Sequence, residues 1–310
     1  MSVVAALGHG AGPDAGGTAP HAAPAPRRRG YRGLLVPGLL YLVAFFVVPV
    51  GTLLATSLYA PVPGGELGEF APALRWQNYP ETVVQFWPQI ARSFSFAAIA
   101  TVVTLVVGYP MAYLIAVRAR GRPGLQGLLI VLVVAPFFTS FILRTIAWKQ
   151  ILADDGAVVA ALRWMHVLAP DGRLSATPVA VVIGLTYSFL PFMVLPLFAS
   201  LERLDPRMLE AGADLYARPF TTFRTVTLPL SMPGVVAGTL LTFIPAVGDY
   251  VNSSLLGNNT TTVMVGQVID ARFFRVLDYP TAAVLSVVLM ASILALVTAY
   301  VRRSGTEDLV

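Results

Sequence analysis

Six stretches of this chain are long and apolar enough to cross a membrane as helices: about 33–58, 94–117, 125–148, 178–201, 231–256 and 280–301. A helix rises 1.5 Å per residue, so crossing the hydrocarbon layer takes roughly 20 mainly apolar residues. Inside lipid, a helix satisfies every backbone N–H and C=O within its own segment. Composition agrees: 12% of the 310 residues are charged, against about 25% in soluble domains. The fold class expected is an all-α integral membrane protein with six transmembrane helices. Residues 1–30, rich in Ala, Gly and Pro near the start, read as a disordered cytoplasmic tail. Residues 31–93 hold the first helix and an extracytoplasmic loop, 94–303 a five-helix core, and 304–310 a second cytoplasmic tail. Arg27-Arg28-Arg29 before an apolar run mimics a secretory signal. That run lacks a small-residue cleavage site, so an uncleaved anchor is expected.

Arginine placement orients the spans. Arg27, Arg28, Arg29 and Arg32, the 2–3 loop (Arg118, Arg120, Arg122), the 4–5 loop (Arg203, Arg207, Arg218, Arg224) and Arg302-Arg303 share one side. That side carries 13 of the 21 basic residues, which predicts it to be cytoplasmic, with both termini inside. The longer loops lie on the other side, and Trp76, Trp87, Trp148 and Trp164 fall in or beside them as interfacial anchors would. Residues 81–92 could lie flat at that interface, and Pro88 argues against a long regular helix there. Pro110 and Pro136 read as kinks.

Several classes of function are excluded. The chain has no cysteine, and its three histidines (His9, His21, His166) are scattered, so no metal site and no cofactor are expected. The net charge of +5 comes mostly from short clusters beside apolar segments, a topology signal rather than a nucleic-acid footprint. The only lysine, Lys149, follows Trp148, so the phosphate-binding pattern Gly, four residues, Gly-Lys-Ser/Thr is impossible. The chain is not expected to be an enzyme or its own ATPase of that type.

One polar segment stands out between apolar ones. Asp205-Pro206 offers an N-cap carboxylate and a proline at the first helical position. A short helix can follow to Asp214. Pro219 can start a second, with Phe220, Phe223 and Val226 on one face, ending near Leu228-Pro229. Such a bent pair is either a grip for a soluble partner or an amphipathic hairpin lying on the inner leaflet.

The segment resembles the EAA loop of ABC-importer permeases, whose pattern is Glu-Ala-Ala, three residues, Gly, nine residues, Ile, one residue, Leu-Pro. Here Glu210-Ala211-Gly212, Tyr216, Val226 and Leu228-Pro229 keep every spacing. Gly212 in place of alanine lowers helix propensity by about 1 kcal/mol. Tyr216 in place of the turn glycine predicts a turn built differently, because positive φ is unfavourable for a side chain. Further segments are similar to the polyamine (spermidine/putrescine) branch, first-permease type: APFFTSFILRTIAW (135–148), VIGLTYSFLPFMVLPLFASLERLDP (182–206), PLSMPGVVAGTLLTFIPAVGDYVNSSLLG (229–257), and MVGQVI with DYPTAAVLS within 264–286. Gly257-Asn258-Asn259 and Tyr279 depart from it on the outer side.

The resemblance implies a type I importer permease that pairs with a second, homologous permease. It implies two ATP-binding subunits, an extracytoplasmic substrate-binding protein and a place in the bacterial inner membrane. It assigns ATPase coupling to Glu210, Ala211, Gly212, Asp214, Tyr216, Arg218, Pro219 and Phe220. An ionisable residue at membrane depth marks a pathway or a buried pair, which draws attention to Asp249 beside Pro245 and Gly248, two residues that weaken a helix. A polyamine suits carboxylates with aromatic faces, so Asp249, Tyr250, Asn252, Tyr187 and Trp148 are the candidate pathway residues. Asp249 could instead pair with Arg144 or end a solvated helix. Arg144 is awkward for a cation path and reads as structural or gating, as do Pro245 and Gly248. Asp154, Asp155, Asp270, Arg272, Arg275 and Asp278 suit either a binding-protein contact or a wet loop. The rival cargoes for the same machine are an opine, an amino-acid derivative or ferric iron. An ion-coupled secondary transporter would give no reason for the loop at 205–229.

Overall fold

The structure, a computed structural model, describes residues 31–303 except 215 and 259. The expected tails at 1–30 and 304–310 lie outside the described residues. The described residues divide into two compact units, one ending at Pro49 and the other beginning at Val50. In the first, helix α1 (Tyr31–Leu42) runs into a π turn, Val43–Val47, and Leu39, Phe45 and Phe46 are exposed. Helix α2 (Val48–Thr56) continues that run, and Val36–Thr56 is long and apolar enough to span a membrane.

In the second unit, a small antiparallel hairpin, β1 (Tyr59–Pro61) with β2 (Phe70–Pro72), pairs Tyr59 with Pro72. Asn78 closes it by donating from Nδ2 to the carbonyls of Ser57 and Tyr59, each at 2.9 Å. Helix α3 (Asn78–Tyr113) follows and ends in a π turn, Leu114–Arg118. Next come α4 (Pro123–Val134), a 3-10 turn (Ala135–Phe138), α5 (Phe141–Ile151), α6 (Ala157–Trp164) and α7 (Pro178–Glu202). The polar segment forms α8 (Pro206–Asp214) and α9 (Pro219–Thr222), which runs through a π turn (Phe223–Thr227) into α10 (Leu228–Leu230). The chain finishes with α11 (Met232–Val247), α12 (Val251–Leu256), α13 (Val265–Phe274) and α14 (Tyr279–Arg303).

The core lies where α3, α7 and α11 meet. Small residues recur on the buried face of α3: Ala97, Ala100, Thr101, Thr104, Gly108 and Ala112. The hydroxyls of Thr101 and Thr104 donate back to the carbonyls of Ala97 and Ala100, so no polar atom there is left unpaired. Glycine is required where helices touch. A methyl at Gly234 would stand 2.8 Å from the Pro196 carbonyl, and one at Gly238 2.8 Å from Met193 Sδ. Close approach of this kind is how membrane helices gain packing contact without a hydrophobic drive between them. Thr177 starts α7 by accepting the Ala180 N–H at 3.3 Å, with Pro178 at the first helical position.

Three expectations are corrected. Residues 81–92 are not a separate interfacial piece, because α3 runs 36 residues straight through Pro88. The lost hydrogen bond costs about 3 kcal/mol. Phe86 and Ile90, buried with Val265, Val268 and Leu285, offset it at about 2 kcal/mol per side chain. The stretch 125–148 is not one helix: it bends by 98° between Phe138 and Phe141, where Pro136 tightens the turn and Thr139 and Ser140 turn extended. Nor is 231–256 one helix. It meets the preceding arm at 69°, stops at Val247 and restarts at Val251. Four described helices can span unbroken, and each bent pair adds one crossing if it counts as a span.

Candidate functional site

The polar segment folds as an arm with fixed ends. Asp205 Oδ1 accepts the Arg207 N–H at 3.0 Å and starts α8. The turn between α8 and α9 is not rebuilt to spare Tyr216. That residue takes the left-handed conformation itself, at φ +54°, and is 97% exposed. With nothing for the ring to strike, the cost is confined to the backbone, about 1–2 kcal/mol. The side chains of Glu210, Asp214, Arg218, Pro219 and Phe220 are exposed as well, and Ala211 and Gly212 lie within α8.

Behind that face the arm is tied to the bundle. Arg120, in the turn before α4, donates to the carbonyls of Leu201, Glu202 and Leu204 and so satisfies the end of α7. Gln126 Nε2 adds a bond to Glu202 Oε1 at 3.2 Å. On the other side the Tyr109 ring meets Phe223 edge-on at 5.3 Å, and its hydroxyl shares a hydrogen bond with Ser231 Oγ at 2.7 Å. Contacts thus run from the arm and its entry to α3, α7 and the start of α11. Arg120 reads in the sequence only as a topology charge, and nothing in the local pattern announces its capping role.

The second cluster lies where α11 breaks. Asp249 is 7% exposed. Its Oδ1 accepts the Asn252 backbone N–H at 2.8 Å, and its Oδ2 accepts Asn252 Nδ2 at 3.2 Å. Asn252 Oδ1 in turn accepts the Thr145 hydroxyl at 3.5 Å, which links α12 to α5. Asp249 thus starts α12 as a buried cap. The break is also packed hard: a methyl on Gly266 would run into the Gly248 carbonyl, and one on Gly184 into Leu256 and Asn252.

The candidate pathway residues separate into groups. Asp249 and Asn252 are buried together, and the Trp148 and Tyr187 rings meet at a tilt of 59° with centroids 5.2 Å apart. Those two rings line an apolar cleft of about 570 Å³ with Phe96, Ile99 and Val182. Tyr250 is 48% exposed. Pro245 lies exposed in the last turn of α11, and Gly248 follows it.

The pairing of Asp249 with Arg144 is not formed. The ion pairs among the described residues are Arg75–Glu81 at 3.1 Å, Arg173–Asp154 at 3.3 Å and Arg272–Asp278 at 3.1 Å. Arg144 instead holds its guanidinium 5.4 Å from the Phe137 ring centre and 5.5 Å from that of Phe141. Elsewhere Arg92, on α3, donates to the Val263 carbonyl at 2.9 Å. Ser93 Oγ accepts the Val265 N–H at 2.7 Å, a cap supplied to α13 by another helix. These long-range ties carry no sequence signal.

The described residues thus form an apolar helical bundle with a bent arm tied to its core. Residues 105–304 match the model of the binding-protein-dependent transport system inner membrane component family, and this chain belongs to that family. It is 35% identical to the spermidine/putrescine transport system permease protein PotB of Haemophilus influenzae, over 84% of this chain and 90% of that one. It is 38% identical to the PotB of Escherichia coli K12, over 66% of this chain and 73% of that one. A chain of a bacterial ABC transporter involved in the import of the acidic polysaccharide alginate shares the fold, with a TM-score of 0.63 at 15% identity. The match covers 90% of this chain and 96% of that one. The fold is that of an ABC-importer permease in the inner membrane.

Proposed function

We propose that this chain is the first of two membrane-spanning subunits of an ATP-driven polyamine importer. Partner ATPases grip the α8–α9 arm, a second permease completes the pathway, and a binding protein delivers substrate from outside. The observation that carries the machine is the arm: an exposed face at Glu210, Asp214 and Phe220, tied behind by Arg120 and Tyr109 to three core helices. Cargo rests on the relatives named for spermidine and putrescine. Closure of the ATPases would draw the arms together and rock the bundle, which alternates access to a site near mid-membrane. The orientation follows from arginine placement, with the arm and both termini in the cytoplasm, and each bent pair then counts as one of six crossings. The chain itself makes and breaks no covalent bond.

The test is uptake of labelled spermidine and putrescine into proteoliposomes that hold the whole complex. Uptake that requires both ATP and the binding protein is expected. Binding-protein-stimulated ATP hydrolysis without polyamine uptake would keep the machine and discard the cargo.

A further inference from the structure

Arg144 is a cation within the bent apolar pair Pro123–Ile151 that no described carboxylate balances: none lies within 4 Å of its guanidinium. Its Nε is buried without a hydrogen-bond partner. What holds it is the pair of ring faces of Phe137 and Phe141. Phe137 belongs to the 3-10 turn and Phe141 to α5, so the two rings come from opposite sides of the 98° bend. Phe141, Arg144 and Trp148 follow at i, i+3 and i+7 and share one face of α5. That face continues as ring surface through Trp148 to Tyr187. One helical turn, about 6 Å of rise, separates Arg144 from Trp148. The spacing is similar to that of neighbouring amino groups across four carbons of a polyamine.

An aromatic cradle that accepts a guanidinium also accepts an alkylammonium, since both are drawn to the same negative ring faces. We propose that Arg144 is a tethered stand-in for the transported cation. It fills the Phe137–Phe141 cradle when substrate is absent, and a substrate ammonium displaces it during passage. The exchange keeps one positive charge on the rings throughout and leaves no free cradle for an inorganic ion. Because the rings straddle the bend, the change of occupant is felt where α5 turns. The proposal rests on the polyamine reading above.

A plain clamp on the bend would use the same contacts, and the two roles separate by sign. The assay is equilibrium binding of labelled spermidine to the full permease–ATPase complex in nanodiscs, without binding protein. Thermal midpoint and ATP hydrolysis serve as checks of assembly. With the competitor removed, Arg144→Gln should bind spermidine about tenfold more tightly. Phe137→Leu/Phe141→Leu should bind it about tenfold more weakly. Arg144→Lys, which keeps a cation on the rings, should stay near wild type. Arg144→Met repeats the neutral substitution if the glutamine variant does not assemble. Weakening in both the arginine and the ring variants, or an unchanged dissociation constant in Arg144→Gln, would overturn the exchange. Wild-type complex that fails to take up spermidine into proteoliposomes with both ATP and the binding protein present would overturn the polyamine reading and the exchange with it. Normal wild-type uptake beside same-direction variants would overturn the exchange alone.

Discussion

At the scale of single residues, Tyr216 and Asp249 show how far sequence reading reaches. Spacing locates Tyr216 at a glycine position, and the structure keeps the turn at a left-handed φ of +54° with the ring in solvent. Tyr216→Gly should therefore raise stability by about 1 kcal/mol, the strain minus part of the added chain entropy. The denaturation midpoint of the purified chain checks this. Asp249 is legible as a costly group at depth, but its partner is not. Arg144 was an equally good candidate by charge, yet the carboxylate caps α12 through Asn252. Asp249→Ala should cost about 2 kcal/mol by leaving a buried N–H unmet. Asp249→Asn, which keeps an acceptor, should cost less and should preserve uptake. Lost uptake at unchanged stability in the asparagine variant would move Asp249 into the pathway.

Among the helices, the order of segments was readable because apolar runs and Pro or Gly punctuation are local signals. The polar segment is the clearest case: Asp205-Pro206 and Pro219 start α8 and α9 where their chemistry says they should. Continuity was not readable. Pro88 stays inside α3 because tertiary burial outweighs one lost hydrogen bond, while the breaks after Phe138 and Val247 depend on what packs around them. Gly184 is such a neighbour. Gly184→Val should destabilise the α7–α12 contact by about 1–3 kcal/mol, since the branched side chain must displace Leu256 and Asn252. A lowered melting temperature with normal membrane insertion is the expected result. On the arm, Glu210→Lys reverses the charge of an exposed position without touching the core. It should abolish ATP-driven uptake while the chain inserts and melts as before. Intact coupling in that variant would remove the arm from the ATPase interface.

For the whole molecule, the absence of cysteine makes sidedness easy to read. A maleimide that cannot cross the membrane should label Glu66→Cys in intact spheroplasts, and Arg207→Cys only after permeabilisation. The reverse pattern would invert the topology drawn from arginine placement. The angle at Ser231 has a mechanical meaning of its own. The arm from Pro219 to Leu230 and helix α11 from Met232 to Val247 meet there at 69°, and Ser231 Oγ is pinned to the Tyr109 hydroxyl. Two stiff limbs fixed at an angle about a held corner form a bell crank. The limbs measure about 18 Å and 24 Å at 1.5 Å per residue, so the far end of α11 sweeps about a third farther than the tip of the arm. If the arm takes the proposed push, a small sideways stroke on it would emerge as a larger one, turned in direction, near the broken junction at Asp249.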